Sequence, residues 1–442
     1  MRFYGFFTRS YFVLLLAFLF TTVSPAQNAR PRPRQRLIPA QAQGENAPLV
    51  PTPGDWQQLA KLVSGRGEAT EPYAGSVGIS GNTVVVSAST NYVNANAAYV
   101  FTKSSGGWGN NPPIAALRLP SPFDRFDPPV AIDGDTIVIG VAGGLDYPSY
   151  AYVFVRPAGG WTDMKPTAVL AAPDSTDGAF GQSVAISGDT IVVGDSGGDV
   201  YTSYDPGAAY VFVKPAGGWK DMTETAKLTS SDGVLYDEFG DSVAINGDTI
   251  GVGAPQVVET GATGKAYVFV KPINGWQNMT QTAELTAPDG LPGSGIGFSV
   301  AVTETFLVAG APLDEINVPG AAYVFAKPVS GWANMTETAT LTPGDNQSVE
   351  GLFGYCVAAS GQIAAVGSVR RGVAPFGVEG GVYVFPEPRG GWRNTAGTTV
   401  LTGSDTRDYS FFGTSLAMSG RVLVSGAQPF ISPGGAYVFG LP

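Results

Sequence analysis

The chain repeats one pattern of alternating apolar and polar residues, which is most complete between residues 180 and 228. Apolar and β-branched residues at every second position predict half-buried strands rather than a helix. Residues 182–186 and 190–194 flank a short Gly-containing turn and predict a hairpin. Residues 208–213 predict a third strand and residues 225–229 a fourth, so one repeat predicts four antiparallel strands.

This unit recurs along the chain. The Tyr-Val-Phe core of the third strand stands at Tyr99, Tyr152, Tyr210, Tyr267, Tyr323, Tyr383 and Tyr437. The seven tryptophans are spaced by 52 to 60 residues, at Trp56, Trp108, Trp161, Trp219, Trp276, Trp332 and Trp392. Self-similarity at this period is typical of a repeat architecture. The pattern therefore predicts an all-β fold, a seven-bladed β-propeller with four-stranded antiparallel blades.

The two ends of the repeat array complement each other. Residues 56–62 have the Trp, Ala and Leu pattern of a fourth strand, but no first three strands precede them. The last unit runs from Phe412 to Phe439 and has no fourth strand of its own. We therefore expect residues 56–62 to pair with residues 436–439 and close the ring, which would satisfy two open strand edges.

The amino-terminal residues differ from the repeats. Residues 1–26 combine Arg2 and Arg9 with an apolar run over 11–20 and small residues at 24–26, which predicts a signal peptide. The alternative is a membrane anchor, but the run is too short to span about 30 Å of hydrocarbon. Residues 27–54, rich in Pro, Arg and Gln, predict a flexible leader, and residues 55–442 predict the propeller. No later segment is long enough to cross a membrane, so the mature chain is expected to be a secreted or cell-surface monomer.

The composition and net charge of the chain limit the kinds of molecule that it is expected to bind. Of the 442 residues, 60 are Gly, 34 are Pro and 44% are hydrophobic, which suits many short strands around a core. Without residues 1–54, 35 acidic and 19 basic residues remain, a net charge of −16 that repels nucleic acid. The single cysteine, Cys356, stands where other repeats have serine, so we expect a small buried side chain rather than a reactive thiol.

The glycines of each repeat carry a family resemblance. Phe239-Gly240 is followed by Gly253-Ala254-Pro255 and then by Tyr267-Val268-Phe269, and Phe298 with Gly310-Ala311-Pro312 repeats the pattern. This series is similar to the FG-GAP repeat, the blade motif of the integrin α-subunit head, over residues 56–439. The resemblance implies a seven-bladed propeller outside the cytoplasm that serves adhesion or ligand binding.

Two sets of turns carry acidic residues that bear on calcium binding. Many integrin blades carry a D-x-[DN]-x-D-G loop between the first and second strands, but here that place holds only short turns such as Asn246-Gly247-Asp248. Turns this short lack the six to eight oxygens that Ca²⁺ prefers. A second acidic series lies four residues past the fourth-strand leucine and gives candidate Ca²⁺ ligands, at Asp174, Asp232, Asp289, Asp345 and Asp405. Because a turn is needed in every blade, the repetition favours turn formation, so no metal site and no cofactor are assigned.

The function expected from these residues is non-enzymatic. A lack of histidine in the whole chain removes Ser-His-Asp and Cys-His arrangements. The alternative of a carbohydrate-active enzyme needs paired carboxylates at the central channel, whereas the first strands carry Ser, Ala and Val. We therefore expect a protein-interaction or adhesion module whose partner is an extracellular protein or glycan.

A glycan-binding propeller is the other alternative. Blade aromatic residues could stack on sugars, but their recurrence in every unit favours packing between blades. Ligand contacts are expected instead on irregular loops, among them Tyr201 and Tyr204, at residues 91–96, 145–150, 199–206, 255–263 and 370–379. Candidate N-glycosylation sites are Asn278, Asn334 and Asn346, of which the first two occupy the same repeat position.

Overall fold

Seven four-stranded antiparallel units make up the described part of the chain. The computed structural model describes residues 55–64, 73–88, 96–120, 128–143, 148–173, 179–197, 206–234, 236–256, 263–288, 290, 293–312, 320–345, 351–372, 378–397, 399–407, 409–428 and 434–441. The predicted signal peptide and leader lie outside these residues. Each unit is one blade, and its strands pair in the order first, second, third, fourth.

The strands have the following bounds, from blade 1 to blade 7. The first strands are Tyr73–Ser80, Val130–Asp133, Ser183–Ser187, Ser242–Asn246, Ser299–Val302, Phe353–Ser360 and Leu416–Ser419. The second strands are Thr83–Ala88, Thr136–Val141, Thr190–Asp195, Thr249–Ala254, Phe306–Ala311, Ile363–Ser368 and Val422–Ala427. The third strands are Asn96–Thr102, Tyr150–Val155, Ala208–Val213, Lys265–Val270, Ala321–Ala326, Gly381–Pro386 and Gly435–Gly440. The fourth strands are Ala115–Arg118, Ala168–Ala171, Ala226–Thr229, Ala283–Thr286, Ala339–Pro343, Val400–Leu401 and Gln57–Leu62.

The ring closes as predicted. The fourth strand of blade 7 is Gln57–Leu62, and it pairs antiparallel with Gly435–Gly440, with Gln57 opposite Gly440 and Leu62 opposite Ala436. Each first strand contacts the first strands of both neighbouring blades, including those of blades 7 and 1. The prediction of a seven-bladed propeller closed by an amino-terminal strand is therefore confirmed.

The core lies between the blades. Seven hydrophobic clusters are each built from two neighbouring blades; one of them joins Val192 and Val211 of blade 3 to Val252 and Phe269 of blade 4. The Phe of the Phe-Gly pair packs edge-on against the aromatic residues of the third strand, with ring centroids 5.5 Å apart for Phe180 and Tyr210. Alternation along the strands thus sends apolar residues to both faces of every blade.

The repeated glycines bring neighbouring backbones together. A Cβ atom on Gly253 of blade 4 would overlap the carbonyl oxygen of Gly297 in blade 5, so a larger residue cannot replace it without moving the backbone. Gly297 itself has a φ of 94°, a region that favours glycine. Ser242 donates its hydroxyl proton to the same Gly297 carbonyl at 2.6 Å. The same contact joins Gly310 of Gly310-Ala311-Pro312 to the Phe353-Gly354 pair of blade 6, so the two signatures meet between these blades. In blade 5 the expected Phe is replaced by Ile296, and Phe298 lies two residues later in the chain.

One feature of the sheets was not predicted. The residues after the blade tryptophan form a short strand that pairs parallel with the fourth strand of the preceding blade, at Met222–Thr223, Met279–Thr280, Met335–Thr336 and Thr395–Gly397. Met164 makes a single parallel bridge of the same kind with Leu117. Five outer edges are thus covered by the next blade, which protects backbone groups that an edge strand would expose.

Candidate functional site

The two ends of the blades differ in their connections. Two residues join the first and second strands in six blades and three in blade 5, whereas seven to twelve residues join the second and third strands. Because successive strands run in opposite directions, these connections leave from opposite ends of the blade. We call the end with the short turns the turn face and the end with the long loops the loop face. Length variation is confined largely to the loop face, where recognition residues are usually found.

Side chains on the turn face hold neighbouring blades together. The residue that ends the first strand accepts a hydrogen bond from the glycine N–H of the next blade's turn, as when Asp133 accepts from Gly188 at 2.7 Å. Ser80, Ser187, Ser360 and Ser419 do the same for Gly134, Gly247, Gly420 and Gly81. Within the described residues, the polar atoms of these turns therefore link five pairs of blades.

The candidate metal ligand Asp232 binds side chains of the next blade. It follows the fourth strand of blade 3 and accepts hydrogen bonds from Lys265 Nζ at 2.5 Å and Tyr267 Oη at 3.0 Å, both in the third strand of blade 4. Glu284 Oε1 lies 2.8 Å from the same Lys265 Nζ. The Asp232 carboxylate is thus held by a cation and a phenol, which we call an Asp-Tyr clamp.

Two further candidate aspartates form the same clamp. Asp345 accepts from Tyr383 Oη at 2.6 Å and from Arg371 Nη2 at 3.0 Å. Asp405 accepts from Tyr437 Oη at 2.7 Å and from Lys61 Nζ at 2.6 Å. The remaining candidates, Asp174 and Asp289, lie outside the described residues. In each described case the phenol is the Tyr of the next blade's Tyr-Val-Phe strand, so the clamp joins consecutive blades at the loop face.

The clamp shifts the ionisation of its members. Partial burial alone would raise the pKa of Asp232 and of Asp405, but the hydrogen bonds from lysine and tyrosine outweigh it and lower both pKa values. Burial and the neighbouring carboxylate raise the pKa of Tyr267 and of Tyr437. Burial would lower the pKa of Lys265, yet its bonds to Asp232 and Glu284 raise it. At neutral pH Asp232 and Asp405 are therefore carboxylates, and Tyr267 and Tyr437 are neutral phenols.

The contacts of these aspartates affect whether they are available to bind a metal ion. A calcium ion needs several free oxygens, whereas the described carboxylates of the series each face a lysine or arginine and a tyrosine. Among the residues that the structure describes, no group of three or more His, Cys, Asp or Glu side chains is arranged to hold a metal ion. Sequence reasoning missed the clamp because its members belong to different blades: the tyrosine lies 32 to 38 residues after the aspartate, and the cation lies 26, 33 or 344 residues away.

Two of the candidate glycosylation sites have a structural role. Asn278 Oδ1 accepts the backbone N–H of Lys227 at 2.8 Å, and Asn334 Oδ1 accepts that of Glu284 at 2.9 Å, each in the preceding blade's fourth strand. The same position, two residues after the blade tryptophan, does this in other blades, with Asn110, Asp163, Asp221 and Asn394. We call this contact the Asx latch. Asn346 lies outside the described residues.

The repeated aromatic residues are used in packing. Trp161, Trp219, Trp276, Trp332 and Trp392 are buried in the clusters between blades, and so are the Tyr and Phe of the third strands. The expectation that they pack rather than stack on ligands is confirmed. Cys356 is also buried, as expected, and its thiol donates to the Gly413 carbonyl at 2.8 Å. The loop residues Tyr201 and Tyr204 lie outside the described part of the chain.

The inner rim of the loop face contains contacts that sequence reasoning missed. The residue just before the first-strand Ser or Cys reaches its counterpart in the next blade. Gln182 Nε2 donates to Asp241 Oδ1 at 2.6 Å, and the rings of Phe298 and Tyr355 lie 5.2 Å apart. These residues differ from blade to blade, so periodicity did not reveal them.

Comparison with known proteins agrees with this geometry. Four segments match the FG-GAP repeat family, at residues 56–101, 165–212, 222–269 and 279–325. Each segment contains a Tyr-Val-Phe third strand of the ring, and two of them begin with the residues that cover the preceding blade, Met222 and Met279. No curated protein matches the chain. In the part of the chain that the structure describes, no helix is long and apolar enough to cross a bilayer. The chain, with its four matched segments and seven blades, is an FG-GAP repeat protein.

Proposed function

We propose that this protein is exported and acts as a non-enzymatic, monomeric module that binds an extracellular protein through its loop face. The observation that carries the proposal is the contrast between the two faces: connections that keep nearly the same length from blade to blade on one side, and loops that vary from seven to twelve residues on the other. The repeated polar and aromatic residues are engaged in holding the ring, so the variable loops are free to differ. Loops on a rigid scaffold are a common basis of recognition.

Further observations support an extracellular role. FG-GAP repeats typically occur in extracellular proteins, and their propellers serve protein interaction in general. Residues 1–26 have the charge and apolar pattern of a signal peptide. Adhesion is the biological role that we propose for such a surface. The chain contains no histidine and therefore lacks the commonest hydrolytic triads, which supports a binding role.

The export part of the proposal has its own test. Cell fractionation followed by amino-terminal sequencing should place the protein outside the cytoplasm, with a mature chain that begins near residue 27. A chain that stays in the cytoplasm with its first 26 residues intact would contradict export.

The binding part is tested by loop replacement. Residues 198–205 or 373–377 are replaced by Gly-Ser sequences of equal length, and each variant is used to capture partners from the native extracellular fraction. The matched controls are Ile273→Ser and Val329→Ser, which change two exposed apolar residues of the turn face. We expect the loop variants to lose the captured protein at least about tenfold and the controls to keep it. Capture that survives every loop replacement, or capture of glycans instead of protein, would contradict the proposal.

A further inference from the structure

Five blades have their outer edge covered by a segment of the next blade, and the contact is shown in full at blade 1. The backbone N–H of Ala116 donates to Asp163 Oδ1 at 2.9 Å, which is the Asx latch. The next residue, Met164, donates its N–H to Ala116 O at 3.2 Å and accepts from Arg118 N at 3.1 Å. One Asx residue and the residue after it therefore satisfy three backbone groups of the edge. In blades 2 to 5 the covering segments are the short parallel strands.

The side chain after the latch adds an apolar contact. Met164, Met222, Met279 and Met335 are partly buried against the hydrophobic clusters next to the edge that they cover. The leucine in the middle of each covered strand is then fully buried, with 0% exposure at Leu117, Leu170, Leu228, Leu285 and Leu341. The covering sequence that recurs is Asx-Met-Thr, at residues 221–223, 278–280 and 334–336.

Blade 6 lacks this cover because its neighbour is built differently. In blades 1 to 5 the fourth strand starts at an alanine seven positions after the tryptophan, whereas the equivalent Ala60 of blade 7 follows Trp56 by only four positions. The strand Gln57–Leu62 therefore begins immediately after Trp56. Its register with Gly435–Gly440 shifts between Gln58 and Ala60. Gln58, which stands at the latch position, bonds instead to Ser404, through Ser404 N at 2.8 Å and Ser404 Oγ at 3.1 Å.

In the described part of the chain, the outer edge of blade 6 is consequently open. By its position in the repeat, Val400 corresponds to Ala116 and Thr402 to Arg118. Within the described residues, nothing bonds to the outward N–H and C=O of Val400 or to the N–H of Thr402. Val400 is partly exposed, Thr402 is exposed, and Leu401 is 6% exposed where its five counterparts are at 0%.

Blade 7 offers a less complete edge. Lys61 N already donates to Asn110 Oδ1 at 2.7 Å, so the first of the three backbone groups is taken. Pro112 and Pro113 follow closely in the segment that would continue the cover, and proline has no N–H to contribute to a ladder. Among the residues that the structure describes, the interface found at five other blades is therefore missing as a whole at the edge of blade 6.

We propose that the blade 6 edge, Val400 to Thr402, binds an extended segment of a partner polypeptide that adds parallel to it. The segment carries Asn or Asp, then Met and Thr, so that its side-chain oxygen accepts Val400 N–H while the Met backbone pairs with Val400 O and Thr402 N–H. Addition of a strand to an open edge is an established mode of peptide recognition. The edge is on the perimeter of the ring, so this site is separate from the loop face.

The test uses the full chain and a synthetic peptide with the sequence of residues 275–283, which includes Asn278-Met279-Thr280. Hydrogen–deuterium exchange at the amides of Val400 and Thr402 is read by mass spectrometry as peptide is added. We expect saturable protection at these two amides. The matched control peptide carries Met279→Pro, which removes one donor, and should bind at least about tenfold more weakly.

In a second experiment, a variant of the chain carries its own covering segment for the edge of blade 6. Residues 57–59 are replaced by the sequence of residues 277–282, which restores the spacing of seven between Trp56 and Ala60. In this variant the Val400 and Thr402 amides should be protected without peptide, and added peptide should have no further effect. The comparison of the two peptides on the unchanged chain does not depend on whether this variant folds.

Three results would overturn the proposal. The first is an absence of protection at Val400 and Thr402 at millimolar peptide. The second is equal protection by the Met279→Pro peptide. The third is protection already present in the full chain and lost when residues 27–54 are removed, since the edge would then belong to the chain's own leader.

Discussion

In five blades, one small polar side chain at the start of the first strand contacts the following blade. Ser183, Ser242, Ser299 and Ser415 each donate a hydroxyl proton to a carbonyl of the following blade, at 2.6 to 3.1 Å. Cys356 makes the equivalent contact through its thiol. In these five blades the position carries a small donor next to a second-strand glycine, and either a hydroxyl or a thiol makes the contact.

Replacement of Cys356 tests this requirement. Cys356→Ser should unfold at nearly the wild-type temperature, because serine makes the same contact in four other blades. Cys356→Ala has almost the same size but no donor, and should lower the free energy of unfolding by about 1 kcal/mol. Thermal and urea unfolding of both variants measures the difference. Equal stability of the serine and alanine variants would show that the hydrogen bond contributes nothing.

The Asx latch connects a turn of one blade to the outer strand of the blade before it. Asn334→Asp should keep the acceptor for the Glu284 N–H, since Asp163 and Asp221 already occupy the same position in other blades. Asn334→Ala removes the acceptor and should destabilise the protein by about 0.5–1.5 kcal/mol. Urea unfolding of the two variants provides the measurement. A larger loss with aspartate than with alanine would contradict the latch.

The Asp-Tyr clamps predict how stability depends on pH. Because the pKa values of Asp232 and Asp405 are lowered in the folded state, their contribution is present above the ordinary carboxyl pKa of about 4 and is lost as pH falls further. Lys265, Tyr267 and Tyr437 have raised pKa values, so their contribution is present below about pH 10 and is lost as pH rises through the folded-state values. The clamps are therefore expected to be complete between about pH 5 and pH 9.

The double variant Asp232→Asn, Asp405→Asn checks this pH dependence. It should unfold at a lower temperature than the wild type at pH 7, and the difference should shrink as the pH is lowered towards 2, where the wild-type carboxylates are protonated too. Unfolding midpoints measured at intervals of pH give the comparison. A difference that stays constant down to pH 2 would mean that the carboxylate charge is not involved.

Across the elements, the sequence predicted what repeats locally and missed what depends on the neighbouring blade. The third strand Ala208–Val213 was predicted to the residue, and the hairpin before it to within a residue, because alternation and a Gly turn are local signals. Met222–Thr223 is only two residues long and pairs with a strand about 50 residues earlier, so no local pattern marks it. The cation of the clamp does not occupy a fixed position in the repeat: Lys265 lies in a third strand, Arg371 in a loop and Lys61 in a fourth strand. Comparison of equivalent repeat positions therefore does not reveal it.

The whole ring depends on the contact between its first and last strands. A chain that begins at residue 65 lacks Gln57–Leu62 and with it the buried side chains Trp56, Ala60 and Leu62. Compared with a chain that begins at residue 54, it should lose about 5 kcal/mol or more of stability and should associate through the exposed edge of Gly435–Gly440.

The comparison is made by thermal unfolding and size-exclusion chromatography of both chains. A peptide of residues 55–64 added in trans should restore part of the lost unfolding temperature, which an unrelated peptide of equal length should not do. If the two chains unfold at the same temperature and remain monomeric, strand pairing between the ends does not hold the ring together.

The pairing of Gln57–Leu62 with Gly435–Gly440 also sets an order of events during biosynthesis. Of the strands in the ring, one leaves the ribosome before all the others and its partner leaves after them. Blades 1 to 6 can form as the chain emerges, since their strands follow one another closely. The backbone groups of Gln57–Leu62 meanwhile remain unpaired until almost the whole polypeptide has been synthesised. A chain whose synthesis stops early therefore cannot close the ring. It keeps an unpaired strand edge at each end of the array of blades, which a factor that binds unpaired strands can recognise.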